Sequence, residues 1–447
     1  MSLKKGKTYT NIWAFSLFQG TLFLFLVFFN IPFFSGLEAK AYTVLIGFKR
    51  LVLTKNDDKM SKDSIVFINI SKSLVIDSTA HTPVTDRRQL SALLAILSRH
   101  PKGFKYAFFD VLMQPSSPAD SAILGTAAGL GRKVLFTAAE VGGSTAQAVV
   151  GPEFPTAPAN FNSVHGLVLN YPLVADISAG RYLAVTTAPL RIYQDMNPGT
   201  VIRLAPVFSG TFVYIGAQLS LRDPFIEPRF RPIDLQVVPN VPPDFRIFDL
   251  NYLLANADRP NFFKDYLKDK MIIVGQLDPD NDSDVHQTVL GNTFGPLLVL
   301  NSYLGIVHGE AGVNMLWLLF MLMVFVAVSA INLDVNLYHD RGSVIPVLAK
   351  FYRIVDPKTW FWFGNRNLPG SKPQLKHKAH PHTFLSLLKA RFYSFVNGLI
   401  TWTALLCSLL AVSYWFAHFL FHFLSILFLL DLETEYFKHL RKKSNAL

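Results

Sequence analysis

Between Ser64 and Leu112 the spacing of apolar positions changes twice. Ser64-Ile65-Val66-Phe67-Ile68-Asn69-Ile70 is β-branched and almost continuously apolar, the pattern of a strand buried on both faces. Leu90, Leu93, Leu94 and Leu97 then recur at the i, i+3, i+4, i+7 spacing of a helix with one apolar face. Asp86, with Gln89 three residues on, starts that helix as a capping box does. Pro101 ends it at His100, because proline lacks an amide donor and clashes with the preceding turn. Tyr106-Ala107-Phe108-Phe109-Asp110-Val111-Leu112 returns to strand. The pattern predicts a parallel βαβ crossover whose helix covers a sheet face. Asp110 falls at the end of the second strand, where α/β sheets place functional groups.

The remaining elements extend this unit. Pro115 to Pro118 make a turn, and Asp120 lies near the start of a small-residue helix to Leu130. Lys133 to Thr137 reads as a third strand, and the Gly/Ala/Pro-rich run Gly142 to Pro158 as a loop. Val164 to Leu219 reads as short antiparallel strands separated by Gly and Pro. Pro228 to Pro243, with five prolines, reads as a surface excursion. Asp249 to Leu254 and Pro260 to Leu267 look helical, Met271 to Gly275 is another buried strand, and a helix begins near Pro296.

Longer apolar runs change the picture. Ile12 to Phe34 follows Lys4, Lys5 and Lys7. Ala39-Lys40-Ala41 loosely resembles a signal-peptide cleavage site, but the run is too long and Phe-rich for an ordinary signal, so an uncleaved anchor is expected. Leu37 to Leu53 leads from it as a mixed apolar and basic helix. Gly312 to Ile331 is long enough to cross a hydrocarbon core of about 30 Å. Asn397 to Leu430 is apolar for 34 residues, enough for two short spans or one long tilted helix. The expected architecture is therefore an α/β domain, with a parallel-containing sheet, a βαβ core and antiparallel additions, on an α-helical membrane domain of about four transmembrane helices. The corresponding segments are an anchor over 1–36, the α/β domain over 37–311, a span over 312–332, a basic loop over 333–391, a hairpin over 392–432 and a basic tail over 433–447.

Charge supports that division. The chain is 51% hydrophobic with a formal net charge of +11. Leu37 to Ala311 holds 25 Lys/Arg and 25 Asp/Glu, so the whole excess lies beside the apolar runs. This is a positive-inside pattern, not a nucleic-acid face. It predicts cytoplasmic termini and an extracytoplasmic main domain. The single cysteine, Cys407, excludes a disulfide framework and a Cys-based zinc site.

Candidate chemistry is sparse. Asp278, Asp280, Asp282 and Asp284 alternate like calcium ligands, but Ser283 and Val289 stand where such a loop needs Gly and Glu. A solvated acidic turn is the simpler reading. Asp110 and Asp120 fit either a carboxylate pair or ordinary caps and turns. His377, His380 and His382 lie in a basic loop and read as solvated. Arg87 and Arg88 at a helix start oppose its dipole, so an acidic neighbour is expected, with Asp110 the candidate. There is no Gly-rich phosphate loop, nucleophile elbow or His-Glu-x-x-His. No enzyme activity, cofactor or metal is expected.

Several motifs together resemble a known family. They are Val66 to Ser73 ending in Asn69-Ile70-Ser71-Lys72-Ser73, Arg87 or Arg88 followed by Leu93-Leu94, Phe108-Phe109-Asp110 through Asp120, and Lys270 to Gly275 followed by Asp284 and Thr288. Gly295, Asn301 and Gly305 suit the helix that follows. With the anchor before them and apolar runs after, residues 37 to 332 resemble the CHASE sensory domains of the second class. The resemblance implies ligand binding at Ser71, Ser73, Arg87, Arg88, Asp110, Asp120, Asp284 and Thr288, in a bacterial inner-membrane protein whose main domain is periplasmic. The chain departs from the family at Ser78 to Pro83, where a Trp-Pro-Trp segment is usual, and at Leu298 and Val299, where Glu and His are usual. Too few residues follow Ile331 for the family's usual output domain. The expectation is a non-catalytic subunit of an envelope complex, with the lipid bilayer and other envelope or membrane proteins as partners. The alternative is a receptor for a small ligand that signals through a separate protein.

Overall fold

The apolar run at Ile65 explains the centre of the fold. In the computed structural model, Ile65–Asn69 (β1) buries Ile65, Val66, Phe67 and Ile68 completely. Successive side chains thus fill both faces of a sheet, as an uninterrupted apolar strand requires. The structure describes residues 64–76, 83–113, 117–138, 246–278, 284–288 and 291–316, most of 155–226, and short pieces within 14–21, 42–45, 140–145 and 318–326. The chain divides into two compact units, Ser35–Val313 and, separately, Met1–Phe34 with Asn314–Leu447. All the elements named below belong to the first.

Six parallel strands make the central sheet: β1, Tyr106–Phe109 (β2), Val134–Ala138 (β3), Thr156–Pro158 (β4), Arg246–Asp249 (β5) and Met271–Gly275 (β6). Their spatial order is β5-β1-β6-β2-β3-β4. The helix Arg87–Arg99 (α1) does connect β1 to β2, but those strands are not neighbours. β6 lies between them, pairing with β1 on one side and β2 on the other. Every residue of β6 is buried, and a strand that is apolar on both faces belongs inside a sheet, not at its edge.

Each face is covered by helices. On one, Leu90, Leu93 and Leu97 of α1, Ile123 of Asp120–Leu130 (α2), Leu253 of Leu250–Ala255 (α4) and Phe262 of Phe262–Tyr266 (α5) pack on Val66, Ile68, Phe109 and Ile272. On the other, Ile192 of Ala188–Met196 (α3) and Leu297, Leu300 and Leu304 of Gly295–Val307 (α6) pack on Ile65, Phe67, Phe108 and Ile273. Even and odd positions of β1 therefore serve different cores, the period-two consequence of the pleat. The cap of α1 is simpler than a capping box. Asp86 accepts from the Arg88 amide at 2.9 Å, while its own amide donates to the Ser73 carbonyl at 2.8 Å. Gln89 Oε1 is buried without a hydrogen-bond partner.

Three elements differ from the expected pattern. Thr156–Pro158 is a strand, not loop, and takes the sheet edge, where a proline lacking an amide is tolerated. Within Val164 to Leu219 the antiparallel strands Val174–Ser178 with Tyr182–Thr186, and Ile202–Val207 with Gly210–Ile215, are separated by α3. Pro189 stands in the first turn of that helix, where its missing amide costs no intrahelical bond. Asp249 ends a strand and is the N-cap residue of α4, so helix begins one residue later than the sequence pattern indicated.

The membrane half of the expected architecture is not found. Among the described residues no helix is long and apolar enough to cross a membrane. The longest helices with described bounds, α1 and α6, have 13 residues each, about 20 Å at 1.5 Å per residue. That falls short of a hydrocarbon core of about 30 Å. A four-helix membrane domain is therefore not a property of the described structure, which is a mixed α/β unit with a parallel sheet. The basic loop at 333–391, the hairpin at 392–432, the tail at 433–447, the proline excursion at 228–243 and most of the anchor and of 37–53 lie outside the described residues.

Candidate functional site

Parallel α/β sheets gather functional groups at the carboxyl ends of their strands. Here those ends carry Asn69, Asp249 and Gly275, Asp110 just beyond β2, and Thr137 in β3. The polar side chains form three separate clusters.

The first surrounds Asp110, which is half-buried. Its amide donates to the Val274 carbonyl at 2.7 Å, so pairing with β6 continues one residue past β2. Thr137 Oγ1 donates to Asp110 Oδ1 at 2.7 Å. After β6 the chain makes an antiparallel ribbon, Val285–Thr288 (β7) with Gly291–Phe294 (β8), that leads directly into α6. Asp284 opens this ribbon and its carboxylate stands over Gly295, the first residue of α6; a Cβ built there would lie 2.5 Å from Asp284 Oδ1. A carboxylate at that place complements the helix dipole. His286 Nε2 and Asp284 Oδ1 are 3.2 Å apart, and Phe161 meets the imidazole edge-on at 6.2 Å. Burial, and after it the Asp284 charge, push the Asp110 carboxyl up to about 7, against the opposing Thr137 bond and His286. The bond to Asp284 raises the His286 pKa above its ordinary value, against the effect of burial.

The second cluster joins the starts of α1 and α2. Arg87 Nε and Asp120 Oδ1 are 3.6 Å apart, and both side chains are more than nine-tenths buried. Arg87 Nη2 donates to the Leu112 carbonyl at 2.7 Å, and Asp120 Oδ2 accepts from the Ser117 amide at 2.7 Å. The acidic neighbour of Arg87 is thus Asp120, not Asp110. The packing of α1 against α2 brings these two helix starts together. Burial lowers the Arg87 pKa, and the Asp120 charge counteracts it.

The third cluster is built on Asn69. Its Oδ1 accepts from the Ser71 amide at 3.0 Å, the Ser71 hydroxyl at 2.7 Å and the Leu277 amide at 3.2 Å. Its Nδ2 donates to Asp249 Oδ1 at 3.4 Å, and Lys72 Nζ lies 3.0 Å from Asp249 Oδ2. The ends of β1, β5 and β6 are tied together by these bonds.

Of the other sequence candidates, Ser73 is buried and its hydroxyl has no hydrogen-bond partner. Arg88 is exposed. Thr288 Oγ1 donates to the Gly291 carbonyl at 2.7 Å and closes the β7–β8 turn. The structure therefore brings Asp110 together with Asp284, and Arg87 with Asp120, but does not join the four. His286, Thr137, Asn69 and Asp249 were not singled out as site residues in the sequence. His286 was accessible to such reasoning, since it stands two residues from Asp284 and β side chains repeat at that interval. Asp280, Asp282 and the three histidines at 377, 380 and 382 lie outside the described residues. Among the described residues no group of three or more His, Cys, Asp or Glu could hold a metal ion.

Close packing holds the first cluster in place. A Cβ on Gly275 would collide with the ring of Pro296 in the first turn of α6, and would lie 3.3 Å from Asp110 Cβ. Gly275→Ala is expected to destabilise the fold by about 1–3 kcal/mol, the usual range for an overpacked core. A urea unfolding midpoint equal to that of the wild type would refute the close contact.

The fold and these clusters define a parallel α/β unit covered by helices on both faces. Compared with known proteins, the chain matches no family model, no curated protein and no solved structure.

Proposed function

We propose that this chain is a non-catalytic subunit of a bacterial envelope complex, located at the inner membrane, with the CHASE-like α/β unit as its periplasmic docking module. The observation that carries the reading is the distribution of exposed apolar side chains at the carboxyl end of the sheet. Val75 and Ile76 follow β1, Leu112 follows β2 and Tyr252 follows β5; Ile76 is 76% exposed, Tyr252 51% and Leu112 48%. Large apolar groups exposed on the segments that follow successive strands are side chains that a protein partner can cover. Two of the polar candidates at the same end are turned to internal partners, Arg87 to Asp120 and the Leu112 carbonyl, and Ser71 to Asn69. The basic residues gathered beside the apolar runs of the sequence support attachment to the inner membrane.

A second reading, a receptor for a small ligand, is favoured by one observation. A carboxyl group pushed up to about 7 at the carboxyl end of a parallel sheet is the type of perturbed group that binding sites concentrate.

The two readings separate in a pull-down of the tagged full-length protein in mild detergent, followed by mass spectrometry. Stoichiometric recovery of other envelope proteins is the expected result. Recovery of the chain alone, as a monomer or homodimer, would overturn the docking reading and direct attention to ligand screening.

A further inference from the structure

Asp110, Asp284 and His286 come from different segments yet meet at one joint. Asp110 ends the β2 segment, Asp284 opens the β7–β8 ribbon, and His286 lies within it. Asp110 and Asp284 lie beside the first turn of α6, and His286 reaches Asp284 from the ribbon, where it pairs with Thr293 just before that helix. Pro296 and Asp110 border the same notch at Gly275, and the Asp284 carboxylate borders the notch at Gly295. Both notches exist because neither glycine has a side chain, so α6 begins in direct contact with the group that carries Asp110 and the group that carries Asp284. α6 is also the last helix of its unit, which ends at Val313.

We propose that Asp110, Asp284 and His286 form a proton-operated latch that holds the start of α6 against the carboxyl end of the sheet in mild acid and releases it above neutral pH. The latch does not depend on the docking reading above. When Asp110 holds the proton, the carboxylate that remains is that of Asp284, which lies over the amino end of α6, where its charge is favourable. When that proton leaves, two carboxylates face each other in a half-buried site, and like charges so placed repel. The groups facing Asp110 are the Thr137 hydroxyl from β3, Asp284 at the entry to β7 and His286 within it. Gly275 from β6 and Pro296 from α6 also adjoin it and carry no titratable group.

The direction follows from proton linkage. The Asp110 carboxyl is raised from 3.8 to about 7 in the folded chain. Between those values the folded state binds a proton that the unfolded state does not. The resulting stabilisation is fully present below the lower value and is lost as pH rises through the upper one. His286 is raised as well, so its contribution also declines with rising pH. The two effects add.

Hydrogen–deuterium exchange on the full-length protein in detergent tests this, with rates corrected for the intrinsic pH dependence and β1 amides as the internal reference. From pH 5.5 to 8.5, protection in residues 297–300 is expected to fall roughly tenfold or more, the factor that corresponds to one unit of pKa displacement. Asp110→Asn is expected to reduce the step to the smaller part that His286 contributes through Asp284. Thr137→Val removes a bond that favours the ionised carboxylate, so it is expected to move the midpoint to higher pH, and it keeps the test decisive if Asp110→Asn does not fold. A wild-type profile without a step, a step of undiminished size in Asp110→Asn, or an unmoved midpoint in Thr137→Val would each overturn the latch.

Discussion

Arg87→Met is expected to destabilise the α/β unit by about 3–5 kcal/mol, the cost of leaving one partner of a buried ion pair uncompensated. The guanidinium lies 3.6 Å from Asp120 and donates to the Leu112 carbonyl at 2.7 Å. The substitution would strand a buried carboxylate and orphan that carbonyl together. The double variant Arg87→Met/Asp120→Leu removes both charges, and is expected to recover most of the loss because apolar pairs of similar volume often replace buried ion pairs without penalty. Urea unfolding of the three proteins, followed by far-ultraviolet circular dichroism, gives the comparison. A loss below about 1 kcal/mol in the single variant would mean that the pair behaves like one in solvent, and would exclude it as a fastening between α1 and α2.

Asn69→Ala should have the next largest effect. It removes the acceptor for two backbone amides, Ser71 and Leu277, and for the Ser71 hydroxyl. Each orphaned group costs about 1–3 kcal/mol when buried, but Ser71 is near the surface and can recruit water. A total of about 2–4 kcal/mol follows from the same range. Amide exchange at Leu277 should accelerate more than exchange at β3, which Asn69 does not touch. Uniform acceleration across all six strands would show a global loss without the local one, and would refute a specific role in joining β1 to the segment after β6.

Sequence periodicity made the local elements readable and left their assembly unreadable. β1, α1, β2, α2 and β6 were visible because each is a strongly apolar run or repeat with a clear stop, such as Pro101 after α1. The edge strands were not, since Thr156-Ala157-Pro158 and Arg246-Ile247-Phe248-Asp249 are short and carry proline or charge. α3 was hidden among strand-like segments because only nine residues and four buried positions mark it. Asp110, Asp120, Arg87 and Asp284 were identifiable as polar residues beside apolar strands and helix starts. Their pairing was not, because it depends on which helices touch. Arg87 meets Asp120 through the packing of α1 on α2, and Asp110 meets Asp284 only once β7 and α6 close over the strand ends.

The place of β6 also bears on how the chain is made. β1 and β2 are synthesised early, but the strand that joins them is Met271–Gly275, which leaves the ribosome after nearly all the rest of the unit. Until then the nascent chain holds a vacant slot bordered by two strands with unpaired backbone edges, the condition that invites pairing with other chains. Contacts so distant in sequence form slowly. The newborn protein therefore has a long interval in which it depends on protection from aggregation, and a ribosome that stalls before Met271 releases a product with its sheet split in two.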